Sequence, residues 1–190
     1  MHCSDFLFTS ERLGFRPWQD DDIDDLHTIN SDPQVMRYFP NTLEREQTVA
    51  FIDRMKLMYH DHGYCYFAVE ELQNKGVIGF IGIAYQDYPA PFTPGVDIGW
   101  RLHPDHWGIG YATEGGQRCL EFAFNTIGLD AVWSVAPTAN FLSIQVMKRL
   151  GLHPAGTFVH PNLKDHPELA LCTLYKMDRK SYLKGTVQSI

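Results

Sequence analysis

The stretch His103-Pro104-Asp105-His106-Trp107-Gly108-Ile109-Gly110-Tyr111-Ala112-Thr113-Glu114 decides how the middle of this chain folds. Before it, residues 96–102 (Val-Asp-Ile-Gly-Trp-Arg-Leu) alternate in character, which predicts a strand. After it, apolar residues recur at helical spacing up to about Gly128, a residue type that commonly ends helices. A glycine turn between a strand and a helix directs main-chain N–H groups at one point, beside the positive end of the helix dipole. The sequence therefore predicts a phosphate-binding turn.

Two common nucleotide-binding turns do not fit this stretch. A P-loop ends in Gly-Lys-Ser/Thr, which Tyr111-Ala112-Thr113 does not supply. A dinucleotide-binding fingerprint needs a third glycine at its set place and an acidic residue after the next strand, and the spacing here provides neither. A glycine turn that only reverses the chain is the remaining alternative.

The pattern Trp100-x-Leu102-x-Pro104-x-x-Trp107-Gly108-x-Gly110-x-Ala112 resembles the acetyl-CoA pyrophosphate loop of the GNAT N-acetyltransferases. That family usually has Arg or Gln where this chain has Trp107, and tryptophan there resembles the RimJ/RimL-type branch, which acetylates protein N-terminal amines and, in relatives, small amines. The segment from Ser31 to Pro40 also resembles this branch, in which it forms part of the acceptor-side wall. The resemblance covers nearly the whole chain and is strongest from Asp97 to Leu152.

Composition limits the classes of function. The chain has 190 residues, 44% hydrophobic and 21% charged, which is ordinary for a globular protein and enough for one domain over residues 1–190. A formal net charge of −7 argues against nucleic-acid binding and suits a cationic or amine acceptor, or serves only solubility. No apolar run has membrane-spanning length and no signal-peptide pattern opens the chain, so we expect a cytoplasmic protein that binds no membrane. The spacing of the four cysteines fits neither a disulfide framework nor a metal site, so we expect reduced core residues: Cys3, Cys65, Cys119 and Cys172.

Periodicity and turn residues predict the remaining elements. We expect strands at 11–18, 64–70, 76–84, 131–136, 153–160 and 168–177, helices from Asp20, at 42–60 and from Asn140 to Gly151, and a proline-rich loop at 85–95. Gly79 and Gly82 predict a bulge or a close approach within their strand. The residues from Ser181 onward are expected to fray. With the resemblance, this implies an α+β GNAT fold: a mixed, mostly antiparallel central sheet with helices on both faces and a splay between its two middle strands.

The resemblance implies direct attack of an amine on the thioester of acetyl-CoA, in a ternary complex. The N–H groups of Gly108, Ile109, Gly110, Tyr111, Ala112 and Thr113, together with Trp107, would hold the pyrophosphate. Trp100, Arg101 and Leu102 would pair with the pantetheine chain. Asn140 would contact the CoA arm and Ser143 would contact it and protonate the leaving thiolate, although Asn140 as a helix N-cap is an alternative or additional role. Tyr175 and Tyr111 are alternative acids.

Asp97 is the candidate general base. It lies on the strand that approaches the thioester, between Val96 and Ile98, where burial would raise the pKa of its carboxyl group. An α-amine with a pKa of about 8 needs less help than a lysine at about 10.4, which favours an N-terminal or weakly basic acceptor. Pairing of Asp97 with a nearby Arg or Lys, or capping of a bulge, is the structural alternative.

Phe39, Tyr85 and Phe92 are expected to bind the acceptor. A closed pocket lined by these residues would favour a small amine, whereas a wide, shallow groove would favour a peptide N-terminus. The pairs His60/His62 and His103/His106 lack further ligands at metal spacing, so no metal is expected. The branch is often dimeric, which suggests a homodimer. A CoA-binding sensor or scaffold without turnover is the rival function.

Overall fold

The computed structural model describes residues 6–187, and Cys3 lies outside them. In this range eight strands form one sheet in the order β1-β2-β3-β4-β5-β6-β8-β7. The strands are β1 Phe8–Thr9, β2 Leu13–Arg16, β3 Tyr66–Glu71, β4 Val77–Gln86, β5 Gly95–Leu102, β6 Ala131–Pro137, β7 His153–Val159 and β8 Leu171–Asp178. The helices are α1 Ile23–Asn30, α2 Arg45–His62, α3 Tyr111–Glu121, α4 Phe141–Arg149, α5 Pro167–Ala170 and α6 Arg179–Val187.

All neighbouring strands are antiparallel except β5 and β6, which run parallel and share the single residue pair Asp97–Trp133. Beyond this pair the two strands diverge and the sheet is open. The mixed, mostly antiparallel sheet with a splay between its middle strands is confirmed.

Helices cover both faces of the sheet because successive side chains of a strand point to opposite sides. Phe80 of β4 stacks on Phe51 of α2, with the ring centroids 5.3 Å apart. The next residue, Ile81, lies against α3, where a Cβ on Gly115 would be 2.4 Å from its Cδ1. Helix α3 therefore needs a glycine to lie this close to the sheet. None of the helices in the described range has the length and apolarity needed to cross a membrane.

The close approach predicted at two strand glycines is confirmed. A Cβ on Gly79 would be 2.1 Å from the carbonyl oxygen of Arg101, and a Cβ on Gly82 would be 2.2 Å from that of Cys65. The β3–β4 register also shifts between Val69 and Glu70, opposite Gly79. The cysteines at 65, 119 and 172 are buried and free, as expected.

Several elements differ from the predictions in their bounds or type; the helix predicted at 42–60, for example, is Arg45–His62. The first predicted strand is shortened to β2 and is preceded by β1, whose two residues are too few to show a period. The helix after the glycine turn reaches Ile127 as predicted, but its last six residues form wider π turns. Residues 168–170 were expected in a strand and instead belong to α5, which His166 and Pro167 begin. Fraying from Ser181 onward is wrong as far as Val187, because α6 continues there and its Tyr182 ring stacks on Phe124 at 4.9 Å.

Candidate active site

The open side of β5 carries main-chain groups that no strand covers. The N–H of His103 donates to the carbonyl of Ile78 in β4 (2.9 Å), and the hydroxyl of Ser134 in β6 donates to the carbonyl of Ile98 (3.1 Å). Because the N–H and C=O of one residue point the same way and alternate along a strand, the odd-numbered residues of β5 face β4 and the even-numbered ones face β6. Trp100 and Leu102 therefore direct their main-chain groups into the splay, as expected for pantetheine pairing.

Arg101 differs from its two neighbours in this respect. Its main-chain groups point at β4, where it lies opposite Phe80. Its side chain lies on the sheet face covered by α1 and α2, since its Nη1 donates to Oδ1 of Asn30 at the end of α1 (2.6 Å). The main-chain groups of Arg101 thus point away from the splay, unlike those of Trp100 and Leu102.

The glycine turn presents a group of free N–H donors. Gly108 and Gly110 have φ values of 74° and 94°, in the left-handed region that glycine tolerates, and Gly110 is the N-cap of α3. Within residues 6–187, the main-chain N–H groups of residues 108–112 donate to no acceptor. The N–H of Thr113, which was included in the predicted cradle, instead returns to the carbonyl of Gly110 (3.1 Å). Five consecutive donors at a helix N-terminus fit a diphosphate.

The side chain of Trp107 has a structural role in this turn. Its Nε1 donates to the carbonyl of Leu102 (2.8 Å), and its ring packs against the core. The indole therefore ties the turn to the end of β5. Any contact of Trp107 with CoA would have to use the exposed part of this ring or the main chain.

An arginine far away in sequence holds the turn from the other side. Nε of Arg12 donates to Glu114 (2.7 Å), and its Nη1 donates to the carbonyl of Ile109 (3.1 Å). The guanidinium also stacks on the ring of Tyr111, 4.5 Å from its centroid. The hydroxyl of Tyr111 donates to Glu71 at the end of β3 (2.7 Å), so this candidate acid is already engaged. Sequence reasoning missed Arg12, because nothing local relates it to a turn about a hundred residues away.

The two candidates on α4 lie at the N-terminus of that helix, which follows β6 on the other side of the splay. Oδ1 of Asn140 accepts the N–H of Ser143 (3.2 Å), so Asn140 is an N-cap. The amide nitrogen of Asn140 and the hydroxyl of Ser143 make no hydrogen bond inside the described part of the chain, and both residues are partly exposed. The capping and ligand-binding roles are therefore compatible. Tyr175, the other candidate acid, is buried on β8 opposite Ser134.

Asp97 is buried, with 8% of its surface exposed, and has two hydrogen-bond donors on one carboxylate oxygen. The hydroxyl of Tyr66 donates to Oδ1 (2.5 Å) and so does Nε2 of Gln86 (3.0 Å). Burial raises the pKa of Asp97 to about 6, although both hydrogen bonds act to lower it. No Arg or Lys of residues 6–187 forms an ion pair with it, so the predicted structural alternative of a salt bridge is excluded there. A carboxylate with a pKa near neutrality can exchange a proton with an amine.

The three aromatic residues expected to line one pocket lie in three places. Phe92 is buried beside Trp133, the β6 partner of Asp97, with the ring centroids 5.8 Å apart. Phe39 is 41% exposed and lies over the guanidinium of Arg101. Tyr85 pairs with Val96, so its side chain points away from that of Asp97, and its ring stacks on His62 in the last turn of α2 with the centroids 5.2 Å apart.

Other aromatic residues, which the sequence did not single out, surround Asp97. The ring of Tyr66 stacks on Phe80 with the centroids 5.2 Å apart. Tyr88 stacks on His160 at 4.8 Å, and burial followed by the charge of Asp97 raises the pKa of Tyr88 well above its ordinary value. The acceptor side of Asp97 is thus more aromatic than predicted.

The histidine pairs serve local turns. Nδ1 of His103 accepts the N–H of Asp105 (3.3 Å), and Nδ1 of His106 is 3.3 Å from Glu71. The described residues contain no group of three or more His, Cys, Asp or Glu side chains placed to hold a metal ion.

Comparison with known proteins shows the family to which this chain belongs. The sequence profile of the Acetyltransferase (GNAT) domain matches residues 12–153. The uncharacterized N-acetyltransferase YnaD of Bacillus subtilis (strain 168) is 28% identical over 151 residues, covering 79% of this chain and 84% of that protein.

Two solved structures share the fold. An acetyltransferase (GNAT family) from Bacillus anthracis superposes with a TM-score of 0.75 at 24% identity, covering 90% of this chain and 98% of that one. The spermidine N-acetyltransferase of Vibrio cholerae, solved in complex with CoA and spermine, gives a TM-score of 0.72 at 18% identity, with 90% and 98% coverage.

Proposed function

The chain belongs to the acetyltransferase (GNAT) domain family, and from this premise we propose that it transfers the acetyl group of acetyl-CoA to an amine by direct attack in a ternary complex. The observation that carries the proposal is the position of Asp97, a buried carboxyl group with a pKa of about 6 on the strand that borders the splay. CoA binding alone does not explain a buried carboxylate without a cationic partner, whereas proton transfer from an amine does.

The residues at the turn fit the cosubstrate. The free N–H groups of residues 108–112 would bind the diphosphate, and the main-chain groups of Trp100 and Leu102 would pair with pantetheine. Acetyl-CoA supplies the activated acyl group as a thioester. Arg12 adds positive charge behind the turn without contacting the diphosphate donors themselves.

Asp97 would take a proton from the acceptor ammonium, directly or through water. As the amine nitrogen bonds to the acyl carbon, the carbon–sulfur bond breaks and the thiolate receives a proton from the hydroxyl of Ser143. The serine oxygen regains a proton, through water, from the nitrogen as it becomes an amide. Tyr66 and Gln86 both donate to Oδ1 of Asp97, which leaves Oδ2 as the oxygen that accepts the proton. The Ser143 hydroxyl, on the other side of the splay, suits the leaving sulfur rather than the entering amine.

The acceptor in this proposal is an amine, either a peptide N-terminus or a small molecule. The relative named as a spermidine N-acetyltransferase supports amine chemistry in the same fold. We retain within the proposal the RimJ/RimL-type branch, which rests on Trp107, and a cytoplasmic, homodimeric, one-domain protein that acts on neither nucleic acid nor membrane.

The test follows thiol release from acetyl-CoA with a panel of peptides bearing a free α-amine and of small amines. We expect turnover by the wild type and a loss of about a hundredfold or more in kcat/KM for Asp97→Asn, the usual contribution of a general base. Asp53→Asn on the exposed side of α2 is the matched control and should keep wild-type activity. Binding of CoA without thiol release to any acceptor would refute acetyl transfer and favour a CoA-binding scaffold.

A further inference from the structure

Arg101 has a buried guanidinium group with an incomplete set of partners. Its Nη1 donates to the neutral amide of Asn30, while its Nε is buried and has no hydrogen-bond partner in the described part of the chain. Phe39 and Phe80 flank the guanidinium, with its Cζ 4.3 Å and 5.3 Å from the two ring centroids. The group is therefore held in place by aromatic rings and one amide, and its Nε donor is buried and unpaired.

No carboxylate balances this charge. Among residues 6–187, Arg101 takes part in no ion pair, although burial lowers its pKa only to about 10 and it stays charged at neutral pH. The other buried arginine shows the usual arrangement, since Arg16 contacts Asp22 at 2.7 Å and Glu70 at 2.5 Å. A buried cation without a counterion is costly, so such a group is expected to receive its anion from a ligand.

The position of Arg101 indicates which ligand that is. Asp97 and Arg101 are four residues apart on one strand, so their side chains lie on the same face, with Cα atoms roughly 13 Å apart. Gly99 between them has no side chain, and the ring of Tyr66 lies over it. Arg101 is partly exposed, and Phe39, which covers one side of it, is itself 41% exposed. A ligand on this face would meet a proton acceptor at one end and a guanidinium donor at the other.

We propose that Arg101 binds an anionic group, a carboxylate or a phosphate, of the same acceptor molecule whose amine is acetylated beside Asp97. The inference rests on the proposed acetyl transfer, and it narrows the acceptor to an amine that carries an acid. A guanidinium recognises carboxylate and phosphate through its paired N–H donors. The same charge repels a second ammonium, so a polyamine is a poor acceptor despite the net charge of −7 of the whole chain.

The test compares ω-amino carboxylic acids of increasing chain length with their primary amides, and aminoalkyl phosphates with the corresponding alcohols. The rates are corrected for the fraction of free amine. We expect the acid to exceed its neutral counterpart about ten- to hundredfold in kcat/KM at the best-matched length, mainly through KM. Whichever series gives the larger ratio identifies the anion.

Substitutions of Arg101 test whether this residue causes the higher kcat/KM of the acid over its neutral counterpart. Arg101→Met keeps an unbranched apolar side chain between the two rings and should reduce the ratio to about one, whereas Arg101→Lys should restore part of it. Arg54→Met is the matched control, because Arg54 also lies over a phenylalanine ring (5.3 Å) but on the exposed side of α2, and it should keep the wild-type ratio.

A second readout does not depend on turnover. Calorimetric binding of the N-acetylated acid and of its N-acetylated amide, each with CoA present, is measured for the wild type and for Arg101→Met. Acetylation of neutral amines at the same rate as of the acids, with equal binding of both products, overturns the anion site and leaves acetyl transfer standing. Tighter binding of the acid that depends on Arg101, without turnover of any amine, removes acetyl transfer and supports the anion site.

Discussion

Replacing Asp97 by Asn should stabilise the protein while impairing it. The carboxyl pKa of about 6, against an ordinary value of 3.8, means that the folded protein holds this group more readily in its protonated form. At about 1.4 kcal/mol per pH unit, the difference corresponds to about 3 kcal/mol of unfolding free energy lost when the buried group ionises. Asparagine is nearly the same shape, is always neutral, and can still accept the hydrogen bonds of Tyr66 and Gln86.

The sign follows from proton binding. Between about pH 4 and pH 6 the folded protein binds a proton at Asp97 that the unfolded chain has released, so this group's contribution to stability falls as the pH rises through that window. Below the window the wild type and Asp97→Asn carry the same charge at this position. Above it, the variant should be up to about 3 kcal/mol more stable relative to the wild type than it is at low pH.

Urea unfolding of both proteins at about pH 4.5 and about pH 8 should show a change of about 2 kcal/mol, because part of the effect has already developed at pH 4.5. The unfolding free energy of the variant minus that of the wild type is compared at the two pH values. This comparison removes any pH-independent effect of the amide and the contributions of the other titrating groups, which both proteins share. A change smaller than about 1 kcal/mol, or a variant that loses stability at high pH relative to low pH, would refute the assignment of a desolvated carboxyl group at Asp97. In the wild type, kcat/KM should fall as the pH drops below about 6, where the base becomes protonated.

Four further substitutions test the groups proposed to bind or protonate the cosubstrate. Gly110→Ala places a side chain on a residue with a φ of 94° and should weaken CoA binding, measured by calorimetry. The control is Gly63→Ala at the distant end of α2, where φ is 75°. It should cost a similar amount of stability and leave CoA affinity unchanged. Ser143→Ala should lower kcat about tenfold or more with little change in thermal stability, because the capping contact uses its main-chain N–H; unchanged kcat assigns the acid elsewhere. Asn140→Ala should cost about 1 kcal/mol in urea unfolding and also weaken CoA binding, and loss of stability alone would leave only its N-cap role. Arg12→Met should weaken CoA binding a few-fold without altering the pH profile, and a shifted profile would contradict a role confined to the turn.

The sequence was sufficient to predict the turn, its strand and its helix because their signals are local. Alternation in β5 and the glycines at 108 and 110 depend only on neighbours along the chain, and so does the cap at Asn140. The burial of Asp97 was also predictable, since its flanking residues are apolar. The boundaries that failed, at β1 and α6, depend on packing against distant elements, such as the contact of Tyr182 with Phe124.

The acceptor side was harder to predict because it is made by pairing between strands. Nothing near Tyr66 in sequence shows that β3 will place its hydroxyl on Asp97, or that the register of β4 will put Tyr85 on the other face. Phe92 was a pocket candidate because its loop leads into the strand of Asp97, but its burial against Trp133 depends on how the 85–95 loop folds back. Side chains that meet through tertiary contacts leave no period in the sequence.

In the proposed reaction, strand β5 would contact both substrates, because its main-chain groups and its side chains point in different directions. The even-numbered residues of β5 direct their main-chain N–H and C=O groups into the splay. The side chains of the odd-numbered Asp97 and Arg101 lie together on the face covered by α1 and α2. Gly99 makes this arrangement possible: a Cβ there would lie 3.2–3.3 Å from the ring and hydroxyl of Tyr66, tight enough to displace the phenol that donates to Asp97. The glycine between the two charged residues thus leaves room for the Tyr66 ring, which lies over it and keeps the carboxylate oriented. An acceptor with an amine at one end and an acid at the other matches the spacing of Asp97 and Arg101 along β5, whereas a simple amine would leave Arg101 without a counterion.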